Sequence, residues 1–166
     1  MTTAPDAIVQ QMTLEMISST ERPSPIDAEL RYDPGDPYAV SLLLRTGSAP
    51  VTWIFGRELL STGLDEPTGD GDVHISPCVD VFGRRVVLIE FSSPDGRALL
   101  QAPVAAVAHF VKNAHRAVAP GRESDYVDIG ATITAILPAE PGSAEIPRSS
   151  TPWRWPVRQG PRSRRR

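Results

Sequence analysis

The sequence predicts an α+β fold built on antiparallel sheets of about seven or eight strands, with helices gathered mainly at the end. Three observations carry this. Apolar and polar residues alternate with period two in several segments before residue 56. Arg85–Phe91 is a nearly continuous apolar run of the kind found in a central strand covered on both faces. Helical spacing is confined to a short segment after residue 56 and to two longer ones, 103–118 and 128–137. Strands and helices therefore segregate along the chain instead of alternating.

Within residues 8–18, Ile8, Met12, Leu14 and Met16 share one parity, and Gln11, Thr13 and Glu15 take the other. Two prolines in Ser19–Pro25 end that strand. Ile26, Ala28, Leu30 and Tyr32 then alternate with Asp27, Glu29 and Arg31. Asp33–Pro37 is a turn in which Pro34 fixes one dihedral and Gly35 frees the next. Tyr38, Val40, Leu42 and Leu44 form a third strand face, and Val51, Trp53 and Phe55 a fourth after the short connection Thr46–Pro50. Loops this short require antiparallel pairing, because a parallel partner needs a long crossover.

Gly56–Gly63 reads as a two-turn helix, with Leu60 and Leu64 four residues apart. Asp65–Asp72 is a loop. Val73 and Ile75 resume a strand that Pro77 should stop, leaving Cys78 in a short loop. After Arg85–Phe91, Ser92–Gly96 turns the chain and Arg97–Gln101 returns as a strand. Pro103 suits the first position of a helix carrying Val104, Val107, Ala108, Val111, Ala114 and Val118 along one side. Asp128 is positioned to cap a last helix with Ile129, Ile133, Ile136 and Leu137, which Pro138 ends. The expected division is a domain over 1–138 and a Pro/Arg-rich disordered tail over 139–166.

Charge follows that division. The first 138 residues hold 10 Lys+Arg against 18 Asp+Glu, a net −8, whereas the last 28 hold seven Arg against two Glu, a net +5. An acidic body repels nucleic acid over most of its surface; the tail would attract it. One cysteine, Cys78, allows no disulfide within a chain. The N-terminus carries no signal-like pattern, and no run of about 18 apolar residues suggests a membrane span, so the expectation is a soluble cytoplasmic protein.

Four ordered stretches make the sequence specific: LRYDPGDPYAV, TWIFGRELLSTGLDEPTGDGDV, FSSPDGRALLQAPVAAVAHFV and DYVDIGATITAIL. Together they resemble the SsgA-like family of sporulation and cell-division proteins of filamentous actinomycetes, over roughly residues 8–138. The resemblance implies a fold similar to the whirly single-strand nucleic-acid-binding proteins, with two antiparallel sheets, helices and a trimeric assembly. It also implies a non-enzymatic adaptor with no cofactor and no small-molecule substrate. Such an adaptor works at division septa with partners such as the tubulin-like GTPase FtsZ or an SsgA-like paralogue, in septum-site placement or septal wall synthesis. The 28-residue extension ending in SRRR departs from the family pattern.

The residues offer little independent chemistry. Counted from Asp70 as a calcium loop, the fifth position is His74 and the sixth Ile75, so Asp65–Asp72 fails that pattern and reads as a solvated turn. His109 and His115 lie six apart on a helix and do not share a face, and His74 stands alone in a strand. Glu58 and Glu90 lack a defined partner for general-base work, and Cys78 lacks a base. Trp53 and Phe55 read as core; the alternative, a base-stacking platform with Arg45 and Arg57 beside it, would make the chain a single-strand nucleic-acid-binding module. Arg148, Arg154, Arg158, Arg162, Arg164, Arg165 and Arg166, interleaved with Trp153 and Trp155, form a candidate site for an anionic membrane or nucleic acid. Adjacent apolar pairs (Leu42 with Leu43, Trp53 with Ile54, Val86 with Val87) exceed what one small core absorbs, which predicts self-association.

Overall fold

The computed structural model describes residues 6–18, 22–47, 49–94 and 96–127. Seven antiparallel strands follow in order: β1 (Ile8–Ile17), β2 (Ser24–Tyr32), β3 (Ala39–Thr46), β4 (Ala49–Gly56), β5 (Val73–Val79), β6 (Arg85–Ser93) and β7 (Gly96–Pro103). Helix α1 (Arg57–Thr62) follows β4, α2 (Val104–Ala117) follows β7, and a 3₁₀ turn spans Glu123–Tyr126.

The alternation in the sequence maps directly onto the sheet. Ile26, Ala28, Leu30 and Tyr32 of β2 are buried, as are Val40, Leu42 and Leu44 of β3. Their odd-numbered neighbours turn outward, because successive side chains of a strand point to opposite faces. The register Leu30↔Leu42 and Ala28↔Leu44 places these apolar residues opposite one another on one face.

Where the resemblance implied two sheets, the strands form one, in the order β4-β3-β2-β1-β7-β6-β5. Two meanders, β1–β4 and β5–β7, are sewn together by β1 against β7. That seam is short: Glu15↔Gln101, Met16↔Leu100 and Ile17↔Leu99. A narrow seam lets the sheet curl until its far strands meet. Trp53 of β4 stacks on Phe91 of β6 at 4.5 Å between ring centroids, although four strands separate β4 from β6 in the sheet order.

Helix α2 fills the concave side. Val107, Phe110, Val111 and Ala114 recur at helical spacing and are buried against β1, β6 and β7. Each large apolar side chain buried here contributes about 1.5–3 kcal/mol. β5 runs through Pro77 to Val79, beyond the expected stop, and Cys78 lies in this strand instead of a loop. The reason is position: β5 is an edge strand, where a missing N–H breaks no ladder bond. β6 pairs on both sides as expected, but Leu88 and Glu90 on its outer face are only half-buried. The helix expected over 128–137 and the tail over 139–166 lie outside the described residues.

Candidate functional site

The most constrained polar constellation centres on Arg57. It opens α1 in phase with buried Leu60, so the turn that buries the leucine also drives the guanidinium inward, where it is 2% exposed. There Nη1 donates to the Val118 carbonyl at 2.6 Å and to Tyr32 Oη at 3.0 Å, and Nη2 pairs with Glu123. The guanidinium also lies 5.2 Å from the centre of the Tyr32 ring, whose hydroxyl donates to the Pro37 carbonyl at 3.2 Å. Arg57 thus ties β2, the β2–β3 turn, the end of α2 and the 3₁₀ turn together.

The titrating groups around it follow from burial and charge. Burial raises the Tyr32 phenol against the opposing pull of Arg57. Burial lowers His115, and the Arg57 charge adds to that against the opposing pull of Glu123. Glu123 is lowered first by its own backbone N–H and then, against desolvation, by the hydrogen bond and charge of Arg57. Above this hub opens a cleft of about 570 Å³ lined by Tyr38, Glu58, Thr62, His115, Gly121 and Glu123. Arg57 faces its own acceptors and offers no free fork to an anion. The constellation is suited to holding the C-terminal part of the chain against the sheet.

A second feature stands at the β5–β6 hairpin. Val79, Val81 and Phe82 are 60%, 94% and 78% exposed. Other large apolar side chains at the surface of the described residues are Ile54 on β4, 70% exposed, Tyr38, Val9 and Tyr126.

The residues singled out in the sequence do not converge. Trp53 and Phe55 face inward and both contact Phe91, so they form no open platform. Arg45 pairs with Glu29 at 3.4 Å on the outer face. Glu58 is exposed on α1, and Glu90 is bonded by Arg97 at 3.4 Å. His74 is exposed on β5, and His109 bonds Gln10 at 3.1 Å, remote from His115 in the cleft. Thr68 in the acidic loop bridges Ile75 through two backbone hydrogen bonds. Among the described residues no group of three or more His, Cys, Asp or Glu is arranged to hold a metal, and no helix is long and apolar enough to cross a membrane. The seven tail arginines lie outside the described residues. Sequence reasoning missed the Arg57–Glu123 hub. The helical phase of Arg57 with Leu60 was a usable signal for its burial; nothing local marked Glu123.

Comparison with known proteins agrees with this architecture. The family described as Streptomyces sporulation and cell division protein, SsgA, matches residues 26–123. A sporulation-specific cell division protein SsgB of Frankia casuarinae is 39% identical over 138 residues, covering 82% of this chain and 96% of its own. The SsgB of Streptomyces coelicolor is 43% identical over 128 residues, covering 76% and 93%. The crystal structure of an SsgA-like sporulation-specific cell division protein from Thermobifida fusca superposes with a TM-score of 0.73 at 40% identity, covering 82% of this chain and all of that one.

Proposed function

The chain belongs to the SsgA family of sporulation and cell-division proteins, and from that membership we propose that it is a non-enzymatic adaptor that helps place the division machinery, or septal wall synthesis, at sporulation septa. The observation that carries this reading is the match, over nearly their whole lengths, to relatives named as sporulation-specific cell division proteins. The exposed apolar side chains Ile54, Tyr38, Val81 and Phe82 on a tightly bonded sheet support a protein that acts by presenting surfaces. In this reading the folded unit extends to about residue 138 and assembles with itself as a whirly-like trimer. Its partners are FtsZ or an SsgA-like paralogue, and the tail over 139–166 adds an electrostatic contact to an anionic membrane or nucleic acid through Arg148, Arg154, Arg158, Arg162, Arg164, Arg165 and Arg166.

The test is a full-length fluorescent fusion in a sporulating actinomycete that lacks its own relative. Signal in ladders at nascent septa, with septation restored, supports the adaptor. Diffuse signal at every stage, with no restoration, overturns it. The single-strand nucleic-acid reading keeps only the tail, because Trp53 packs against Phe91 instead of facing outward. Salt-sensitive DNA binding lost on replacing the tail arginines by glutamine fits the adaptor reading with an accessory tail; binding that survives the replacement would place a site on the folded domain and put the nucleic-acid module ahead.

A further inference from the structure

The β5–β6 hairpin holds its most apolar residues away from the core by a built framework. Asp80 Oδ1 accepts the backbone N–H groups of Phe82 and Arg84 at 2.8 and 2.9 Å, and Oδ2 accepts Arg84 Nε at 2.6 Å. The Asp80 N–H donates to the Arg84 carbonyl at 2.9 Å, and the Gly83 N–H to the Asp80 carbonyl at 3.0 Å. Gly83 supplies the left-handed dihedral, φ 78°, that closes the turn. Five hydrogen bonds over five residues fix a tip whose outermost side chains, Val81 and Phe82, contribute nothing to the core.

The charge at this tip runs opposite to that of the body. The Asp80 side chain is 4% exposed and turned into the loop, whereas Arg84 is 62% exposed and Arg85 is exposed beside it. Arg84 lies over the Phe82 ring at 5.2 Å, so cation and ring project as one unit. From Val79 to Arg85 the outward surface is therefore apolar and cationic on a protein whose first 138 residues carry −8. The shape is a convex finger. A finger that is aromatic at its end and flanked by guanidinium groups matches the headgroup boundary of an anionic bilayer, where rings settle and Arg stems extend to phosphates.

We propose that the β5–β6 hairpin is a membrane-contacting element that seats Val81 and Phe82 in the interfacial layer of an anionic lipid surface, with Arg84 and Arg85 on its phosphates. The contact is shallow and weak for one copy. Several copies on one assembly, or the tail arginines acting with it, would raise its effective strength without new contacts. The inference goes beyond the adaptor reading and does not depend on it, because it is tested with purified protein and lipid.

The experiment is co-sedimentation of the full chain with vesicles containing roughly one-third phosphatidylglycerol, and with phosphatidylcholine alone, at low and moderate salt. The wild-type chain is expected to bind the anionic vesicles, and Phe82→Asp to lower that partition by about tenfold or more. Phe82→Trp, in a chain with Trp153 and Trp155 changed to phenylalanine, should retain binding and add blue-shifted emission on the vesicles, which reports insertion even if Phe82→Asp folds poorly. A full chain with Arg162, Arg164, Arg165 and Arg166 changed to glutamine should still lose binding when Phe82→Asp is added. Equal binding of wild type and Phe82→Asp overturns the proposal, as does failure of the wild type to bind. A Phe82→Asp change that alters oligomer mass and leaves lipid partition intact also overturns it, and assigns the tip to a contact between copies.

Discussion

Arg57 and Glu123, 66 residues apart in the chain, meet as an ion pair that fastens the 3₁₀ turn to the start of α1. Arg57 is the buried member, and its other bonds reach Tyr32 and the Val118 carbonyl. Arg57→Ala leaves those acceptors unpartnered and a cavity behind. The expected cost is on the order of 3 kcal/mol, read from urea unfolding. Glu123→Gln keeps an acceptor and should lower the melting temperature less. Equal melting of Arg57→Ala and wild type would show that the hub contributes nothing.

The same cluster sets a pH profile. His115 is depressed below its ordinary 6.5, so the unfolded chain takes up the proton first and stability falls as pH drops below 6.5. Glu123, lowered from 4.5, adds stability that is present above 4.5 and lost below it. Asp80 behaves likewise below 3.8: desolvation opposes its ionisation, but the bonds from Arg84 and Phe82 win. Tyr32 is raised above 10.0, so the unfolded phenol ionises first and stability falls again on the alkaline side of 10. These four groups therefore leave stability unchanged between about pH 6.5 and 10 and lower the melting temperature outside that window. His115→Gln should remove the first acid step and leave the later ones. A curve still falling from pH 6.5 in that variant would contradict this assignment.

Much of the fold was legible because its signals are local. Alternation along β1 to β4, the apolar run of β6 and the helical spacing of α2 each need only a short window, and each gave the right element. The failures are non-local. Pro77 stops a strand when read alone, but tolerance depends on β5 being an edge, which the pairing of β6 with β7 decides. The single sheet depends on three residue pairs between β1 and β7, about 85 positions apart. The hub was hidden for the same reason: the helical phase with Leu60 marks Arg57 for burial, but its partner Glu123 lies beyond every local pattern.

Two glycines are required by close approach. A Cβ on Gly69, which has φ 112°, would lie 2.2 Å from the Val73 carbonyl oxygen and 3.0 Å from His74 Cα. One on Gly63 would lie 2.3 Å from Cγ2 of Ile75, which is 1% exposed. Gly69→Ala meets backbone that cannot yield, and should cost roughly 3 kcal/mol or more. Gly63→Ala displaces a packed side chain, for about 1–3 kcal/mol. Thermal melts of both variants check the order; Gly69→Ala melting with the wild type would show the acidic loop to be loosely attached.

The Trp53–Phe91 stack closes the curled sheet, and Phe91 is 1% exposed. Phe91→Ala should cost about 3–5 kcal/mol, since both Trp53 and Phe55 lose their partner. Trp53→Ala should destabilise the chain and leave the affinity of the folded protein for single-stranded DNA unchanged. Lost affinity with intact folding would mean that the ring is available to bases after all.

The outer surface of β4 leads to the last prediction. Ile54 is 70% exposed on an edge strand and opposite Ser41, while Leu43 one row away is half-buried opposite Thr52. Tyr38, 55% exposed, follows on from the same end of β4, since its carbonyl accepts the Arg57 N–H at 2.8 Å. An apolar stripe beside an unpaired strand edge invites a second copy, by added hydrogen bonds and by burial together. Light scattering on the full chain should give a multiple of its 18.0 kDa mass. Ile54→Glu would set charges facing one another across that contact and should shift the mass toward the monomer, with the melt of the individual fold retained. If Ile54→Glu keeps the wild-type mass, the contact lies elsewhere. If the wild-type chain is monomeric at tens of micromolar, self-association through the exposed stripe on β4 is excluded under those conditions.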